Sequence, residues 1–544
     1  VWAQVFVKMH FAAAVFDIVV AFHFSLAYTD DSVNYPEVPL PMGSAALRSS
    51  VWRWTVIAGV PLHTAFSHWT SDNTPESRCD WIVQLPATWS TEMLRSYSEG
   101  SLPGNSEIPW KGHPSEGGLP SIIFRGTQWE LEQFLDLHSG CLFVEQDAPM
   151  IEASDASAPQ VLDPTNWGLD RIDSEEALDN IYDSSGSTGK GVHVYVIDTG
   201  IRTTHDDFGG RAVPTLEVLG NGPIECNASD TTCANDVNGH GTHCAGTVGG
   251  ATYGVAKEAT LHAVKVLADH GFGSFSWFIE AIDFIVTKGL RPAVISASLG
   301  GFGSWIAIDN AINMAISAGI PVVVAAMNEG NTRFSNACDY TPAAVPGAIT
   351  VGSIGDPRYN DRRSSFSNIG ECVDIFAPGG LIPSCGVASD SAVTFMSGTS
   401  MATPHVAGAA ALLLGEDPSR PPSMIDDILK ARSSKDKIED VGAGSPNRLL
   451  FVGASNVTVT TTTSATATTA TTTNTDSVTA TTATITVSSS TATTTITIAP
   501  TTTATGTATT TTTLGNDDNV QQYCDYHYNH HDDAHSNRND DDGV

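Results

Sequence analysis

Hydrophobic and polar positions alternate along the middle of the chain with two different periods. Short apolar runs predict strands over residues 192–198, 259–267, 293–298, 320–326, 349–353 and 373–376. Between them, residues 275–287 and 305–318 carry apolar side chains at helical spacing. Strand and helix in alternation predict an α/β unit with a doubly wound, mostly parallel sheet and helices on both faces. A second pattern precedes it. Trp81 to Leu85 and Cys141 to Asp147 read as strands and residues 129–135 as a helix, which predicts a small α+β domain over about residues 78–152.

Three stretches interrupt these patterns with small residues and reactive side chains. The first strand, Val192-His193-Val194-Tyr195-Val196-Ile197, ends in Asp198-Thr199-Gly200, which places an acid at the carboxyl end of a buried parallel strand, where open α/β sheets build their sites. In Asn238-Gly239-His240-Gly241-Thr242-His243-Cys244 a histidine enters a helix of small residues. In Ser397-Gly398-Thr399-Ser400-Met401-Ala402-Thr403-Pro404-His405 a tight turn opens a buried helix with Ser400 in its first turn. Free N–H groups there can stabilise an oxyanion. In isolation each has a plain alternative: Asp198 capping a turn, His240 satisfied in the core, Ser400 serving as a helix cap. For His243 the plain reading stands.

Together these stretches supply Asp, His and Ser in the chain order of subtilisin. Residues 167–452 resemble subtilisin-family serine proteases, closest to the proteinase K and aqualysin branch. Further matching stretches are Trp167-Gly168-Leu169-Asp170-Arg171-Ile172, Ser298-Leu299-Gly300-Gly301 and Ser364-Ser365-Phe366-Ser367-Asn368. The resemblance implies a secreted endopeptidase of broad specificity with Asp198, His240 and Ser400 as catalytic triad. It implies an oxyanion site from the Asn328 side-chain amide and the Ser400 backbone N–H. Substrate would bind as an added strand between Gly271 and its neighbours on one side and Ser298, Leu299 and Gly300 on the other. Phe275 would bound a pocket further along, or is plain core. Ala326 and Met327 would line the pocket for the residue before the cut bond. The family usually has glycine where Met327 stands, so an apolar chain at that wall would favour medium residues over aromatic rings if it points inward.

The same resemblance makes the α+β domain an inhibitory propeptide, released by self-cleavage between about residues 152 and 160, ahead of a catalytic domain at 160–453. It pairs Cys338 with Cys372 and leaves Cys244 as a free thiol. Cys226 and Cys233 would clip the loop before His240. No catalytic cofactor is implied, but structural calcium is, with Asp374 giving a carboxylate and Pro346 and Ala348 backbone oxygens.

Composition completes the outline. The net charge of −34 over 544 residues argues against nucleic acid as a partner. The resemblance implies protein and peptide substrates and the chain's own propeptide as partners, in a monomer without an integral membrane span. Nine cysteines suit an oxidising compartment without forming a disulfide scaffold. Residues 1–27 read as a signal peptide, 28–77 have no assignment, and 51–66 offer an alternative signal-like run. Residues 454–515 form a Ser/Thr-rich stalk that lacks the apolar content to fold, and 516–544 an Asp/His-rich tail. A fold kept as an inactive binding module and a mucin-like wall protein are the rival readings. The intact Asp198, His240, Ser400 and Asn328 set argues against either as the main role, while the Thr-rich tail could still anchor a secreted enzyme at the cell surface.

Overall fold

The computed structural model describes residues 52–65, 77–98, 100, 102–154, 166–174, 178–355, 361–453, 485–489 and 492–496. The signal-like stretch 1–27, most of the Thr-rich segment and the tail 516–544 lie outside the described residues.

The N-terminal unit contains β1 (Trp52–Ile57), β2 (Val60–Ala65), β3 (Cys79–Gln84), α1 (Thr91–Ser98), β4 (Glu107–Lys111), β5 (Ser121–Gly126), α2 (Gln128–Leu137) and β6 (Phe143–Gln146). Its sheet runs in the order β1-β2-β6-β3-β5-β4. The run at 51–66 is a hairpin in this sheet: Ala58 and Gly59 both take positive φ at its turn, and β2 pairs with β6. Alternation sorts the faces. Trp81, Val83, Ile122 and Phe124 enter the unit's own core, whereas Ile82 and Ile123 join the core of the following unit.

After β7 (Pro149–Glu152) and α3 (Trp167–Asp173) comes the large unit. It contains β8 (His193–Asp198), β9 (Ala212–Val218), β10 (Pro223–Glu225), α4 (His240–Gly249), β11 (Thr260–Lys265), β12 (Phe272–Ser274), α5 (Phe275–Lys288), β13 (Ala293–Ala297), β14 (Leu299–Phe302), α6 (Ile306–Ser317) and β15 (Val322–Ala325). It continues with β16 (Tyr340–Thr341), β17 (Ile349–Ile354), β18 (Ile375–Pro378), β19 (Ile382–Cys385), β20 (Val393–Met396), α7 (Thr399–Glu416), α8 (Pro422–Arg432), β21 (Ser434–Lys435) and β22 (Arg448–Leu449).

Ten strands form the sheet β10-β9-β11-β8-β13-β15-β17-β18-β22-β21, parallel except at its two edges. Its central strands are buried on both faces, so their apolar runs are continuous. In β8, Val194 and Val196 face the core that holds α4 and α7, while Tyr195 and Ile197 face the core that holds α5 and α6. Every residue of α4 and residues 399–414 of α7 are buried. Small residues permit this: a Cβ on Gly408 would lie 2.6 Å from Val255 Cβ.

Two disulfides form, Cys226–Cys233 and Cys338–Cys372. Cys79 and Cys141 remain thiols, pushed up to about 12 by burial. Cys385 is a buried thiol, and Cys524 lies outside the described residues. In the Thr-rich segment, expected to lack structure, β23 (Ile485–Ser489) and β24 (Ala492–Ile496) pair as an antiparallel hairpin. Their isoleucine, valine and threonine content suits a pleated pair. No helix among the described residues is long and apolar enough to cross a membrane.

Candidate active site

Asp198 ends β8 at the carboxyl edge of the sheet, and His240 is the first residue of α4. His240 Nδ1 lies 2.7 Å from Asp198 Oδ1, and both side chains are buried. Three groups satisfy the first amides of α4, which have no partners within the helix. His240 N–H donates to Asn238 Oδ1 (3.0 Å), Gly241 N–H to Thr199 Oγ1 (2.9 Å) and Thr242 N–H to Asp236 Oδ2 (2.8 Å). Asp236 also accepts from the Thr199 and Thr242 hydroxyls. It therefore ties α4 to the residue after Asp198 and fixes the Asp–His pair. Sequence reading missed Asp236; its signal is an acid a few residues before a small-residue helix.

Burial works against charge on His240, but Asp198, with Cys244 and Glu152 adding to it, holds the imidazole well above its ordinary value. His243 Nε2–H donates to Ile382 O (2.8 Å), and the imidazole is pushed down to about 3 by burial, as a core histidine would be. The Cys244 thiol is fully buried, 4.0 Å from His240 Nδ1, and raised by that burial.

Ser400 is the second residue of α7. A Cβ on Gly398, in the turn before it, would collide with the carbonyl oxygen of Ala153. Pro404 stands past the first turn, so its missing N–H leaves the Ser400 carbonyl without its helical partner. Ser298 Oγ (2.9 Å) and Cys244 Sγ (3.4 Å) replace it. Ser298 therefore braces the serine as well as bordering the cleft. Ser400 Oγ donates to Ser298 O (3.0 Å), while His240 Nε2 has no hydrogen-bond partner.

The chain's own β7 fills the cleft. It pairs antiparallel with β12 on one side and β14 on the other, with Phe272 opposite Ile151 and Gly300 opposite Ile151 across the strand. Glu152 N–H donates to Gly271 O (3.2 Å) and Ala153 N–H to Ser298 O (3.0 Å). The Ala153 carbonyl accepts from Asn328 Nδ2 (2.5 Å) and Ser400 N–H (3.1 Å). Asn328 is aimed by Thr399, whose N–H and hydroxyl both donate to Asn328 Oδ1 at 3.0 Å. Two donors thus converge on one carbonyl beside a serine hydroxyl and an imidazole, an arrangement able to stabilise the oxyanion of acyl transfer.

The remaining expected residues fall around this strand. Leu299 lies opposite Glu152. Met150, Phe275 and Leu299 are fully buried in one apolar cluster, with the Phe275 ring 4.3 Å from that of Trp305. Ala326 and Met327 belong to the cluster that contains Ala153.

The calcium donor set does not fit. Asp374 Oδ1 is 2.7 Å from Lys430 Nζ, and Oδ2 accepts from Thr350 N–H (2.9 Å). Lys430 is also 2.7 Å from Asp426. An ammonium already compensates the carboxylate, and a dication beside it would be repelled. Pro346 is exposed and Ala348 buried nearby in sequence, and neither restores a usable carboxylate.

Comparison with known proteins finds relatives of this chain among serine proteinases. The subtilase family description matches residues 189–453. An extracellular serine proteinase of Thermus sp. (strain Rt41A) is 46% identical over 292 residues, covering 54% of this chain and 67% of that protein. Alkaline serine exoprotease A of Vibrio alginolyticus is 43% identical over 327 residues, 59% of this chain and 57% of that protein. A subtilisin-like serine protease of Rhodotorula mucilaginosa is 41% identical over 313 residues, 53% of this chain and 86% of that protein. A solved structure of a cold adapted subtilisin-like serine proteinase is 42% identical, with a TM-score of 0.48, 53% of this chain and 98% of that chain covered.

Proposed function

The chain belongs to the subtilase family of serine endopeptidases, and from that premise we propose that it is a secreted protease made as a precursor that cuts itself between Ala153 and Ser154. The observation that carries this is the Ala153 carbonyl, held by Asn328 Nδ2 and Ser400 N–H at the end of a strand laid through the cleft.

Ser400 is the nucleophile. Its hydroxyl turns from Ser298 O to His240 Nε2, gives up its proton there, and adds to the Ala153 carbonyl carbon. Asp198 holds the imidazole tautomer and stabilises the imidazolium. The tetrahedral oxyanion stays on Asn328 and the Ser400 amide, and loss of such a side-chain donor costs about 10²–10³ in kcat. The imidazolium then protonates the Ser154 nitrogen as the peptide bond breaks, leaving Ala153 esterified to Ser400. A water, deprotonated by His240, hydrolyses the ester. No metal takes part in any step.

After this cut the N-terminal unit remains as an inhibitor, because its last strand still fills the cleft through main-chain hydrogen bonds. Exogenous substrates bind the same two edges. Main-chain recognition reads little sequence, which gives broad specificity along most of the strand.

The test uses purified wild type and Ser400→Ala with casein as substrate. Wild type should digest casein and lose that activity to a serine-directed fluorophosphonate, while Ser400→Ala should neither digest it nor take the label. Casein digestion by Ser400→Ala would refute the assignment.

A further inference from the structure

The docked segment shows where the side chain before the cut bond must lie. Ala153 is held by its N–H on Ser298 O and by its carbonyl on Asn328 Nδ2, so its backbone spans the gap between β14's edge and the turn that carries Asn328. Ala153 is buried in that gap, at 1% exposure.

Met327 lies across the same gap. Its side chain reaches from the Asn328 turn to the opposite wall: a Cβ on Gly300 would sit 2.9 Å from Met327 Sδ. Met327 is 2% exposed. Its backbone has φ +73°, in the left-handed region that side chains other than glycine seldom adopt. Glycine would take this backbone without strain and leave the gap open. Methionine accepts the strained backbone and fills the space with a long apolar chain.

We propose that Met327 closes the pocket for the residue before the cut bond, so that the protease selects small residues there (alanine, serine or glycine), Ala153 being the first it meets. This rests on the assignment of Ser400 as nucleophile and of Ala153 as the acyl residue. It narrows the sequence expectation of medium residues, and leaves breadth at the other strand positions.

The experiment uses the mature protease and tetrapeptide anilides that differ only in the residue before the anilide. The wild type should favour alanine over phenylalanine by about 10–200-fold in kcat/KM, the range of pocket-size effects. Met327→Gly should raise kcat/KM for the phenylalanine substrate relative to the alanine substrate, so that the ratio between them falls by a factor in the same range. A wild type that prefers phenylalanine, or a ratio unmoved by Met327→Gly, would overturn the proposal. Should Met327→Gly fail to mature, Ala153→Phe in the wild-type precursor decides. Self-cleavage slowed by a comparable factor is expected, and processing at the normal rate would overturn it. A wild type inactive on every peptide would instead refute the catalytic assignment.

Discussion

The two buried helices α4 and α7 and the two helices on the other face, α5 and α6, begin in different ways. The first amides of α4 are satisfied from within the large unit, by Asn238, Thr199 and Asp236. Those of α5 and α6 are satisfied by the N-terminal unit. Asp147 Oδ1 accepts from Ser276 N–H (3.0 Å), and Glu145 accepts from Ile306 N–H (3.1 Å) and Ala307 N–H (2.8 Å). Neither Ser274 nor Trp305, the residues preceding these helices, caps with its own side chain. α7 is the intermediate case: Thr399 N–H goes to Asn328 within the unit, whereas Ser400 N–H goes to Ala153 of the docked strand. A helix start that the enzyme caps for itself is scaffold. One left to the N-terminal unit is a contact between the two units, and the Ser400 amide is one of the two donors that converge on the Ala153 carbonyl.

Asp236→Ala should produce the largest loss. It strands several buried donors at α4, each worth about 1–3 kcal/mol, so the melting temperature should fall in precursor and mature enzyme alike. An unchanged mature enzyme would break the contrast. Glu145→Ala removes an outside cap worth about 0.5–2 kcal/mol. It should lower the melting temperature of the uncut Ser400→Ala precursor and leave wild-type enzyme, once released from its N-terminal unit, with ordinary stability. Equal loss in both forms would remove the distinction.

A smaller, pH-dependent effect follows from buried acids that face the N-terminal unit. Burial lifts Glu280 to about 8; Asp147, Asp80 and Asp283 add to the lift and Arg125 opposes it. Burial lifts Asp309 to about 7, with Glu145 adding to it. His113 is raised by its 2.6 Å contact with Asp283 and by Glu116, against burial and Lys288. All three shifts are upward, so the docked form binds extra protons. The carboxyl contributions are complete below their ordinary range near pH 4 and are lost as pH rises through about 7 to 8. The His113 contribution is complete below its ordinary value near 6.5 and is lost as pH rises through its raised value. The melting temperature of the Ser400→Ala precursor should therefore fall as pH rises from about 4 to about 8, and Glu280→Gln should flatten that fall. A melting temperature that rises over this interval would contradict the sign. The smallest effect belongs to Asp374, paired with Lys430. Asp374→Asn should shift the melting temperature equally with and without a chelator, and a shift seen only without chelator would restore calcium there.

Much of this was legible in the sequence. The continuous apolar run of β8 and the helical spacing in α5 and α6 reveal the sheet and its layers, and the small residues around His240 and Ser400 mark helices pressed against it. What stayed hidden depends on contacts distant in sequence. Nothing local to Asp374 shows that Lys430 would fold back onto it. Pro404 reads as a first-turn proline until the helix start at Thr399 places it later, and only then does the Ser298 hydroxyl acquire its role. The hairpin of β1 and β2 reads as a weak apolar run because its partner strand, β6, lies far along the chain. Residue chemistry shows Met327 as an oddity, but its direction depends on φ and on Gly300.

The most direct measurement is the N-terminal sequence of the mature enzyme, taken beside the fate of the Ser400→Ala precursor in the absence of any other protease. The account predicts that the mature chain first appears with Ser154 at its N-terminus and that Ser400→Ala stays uncut. A first cut elsewhere, or a Ser400→Ala precursor that matures normally, would contradict it.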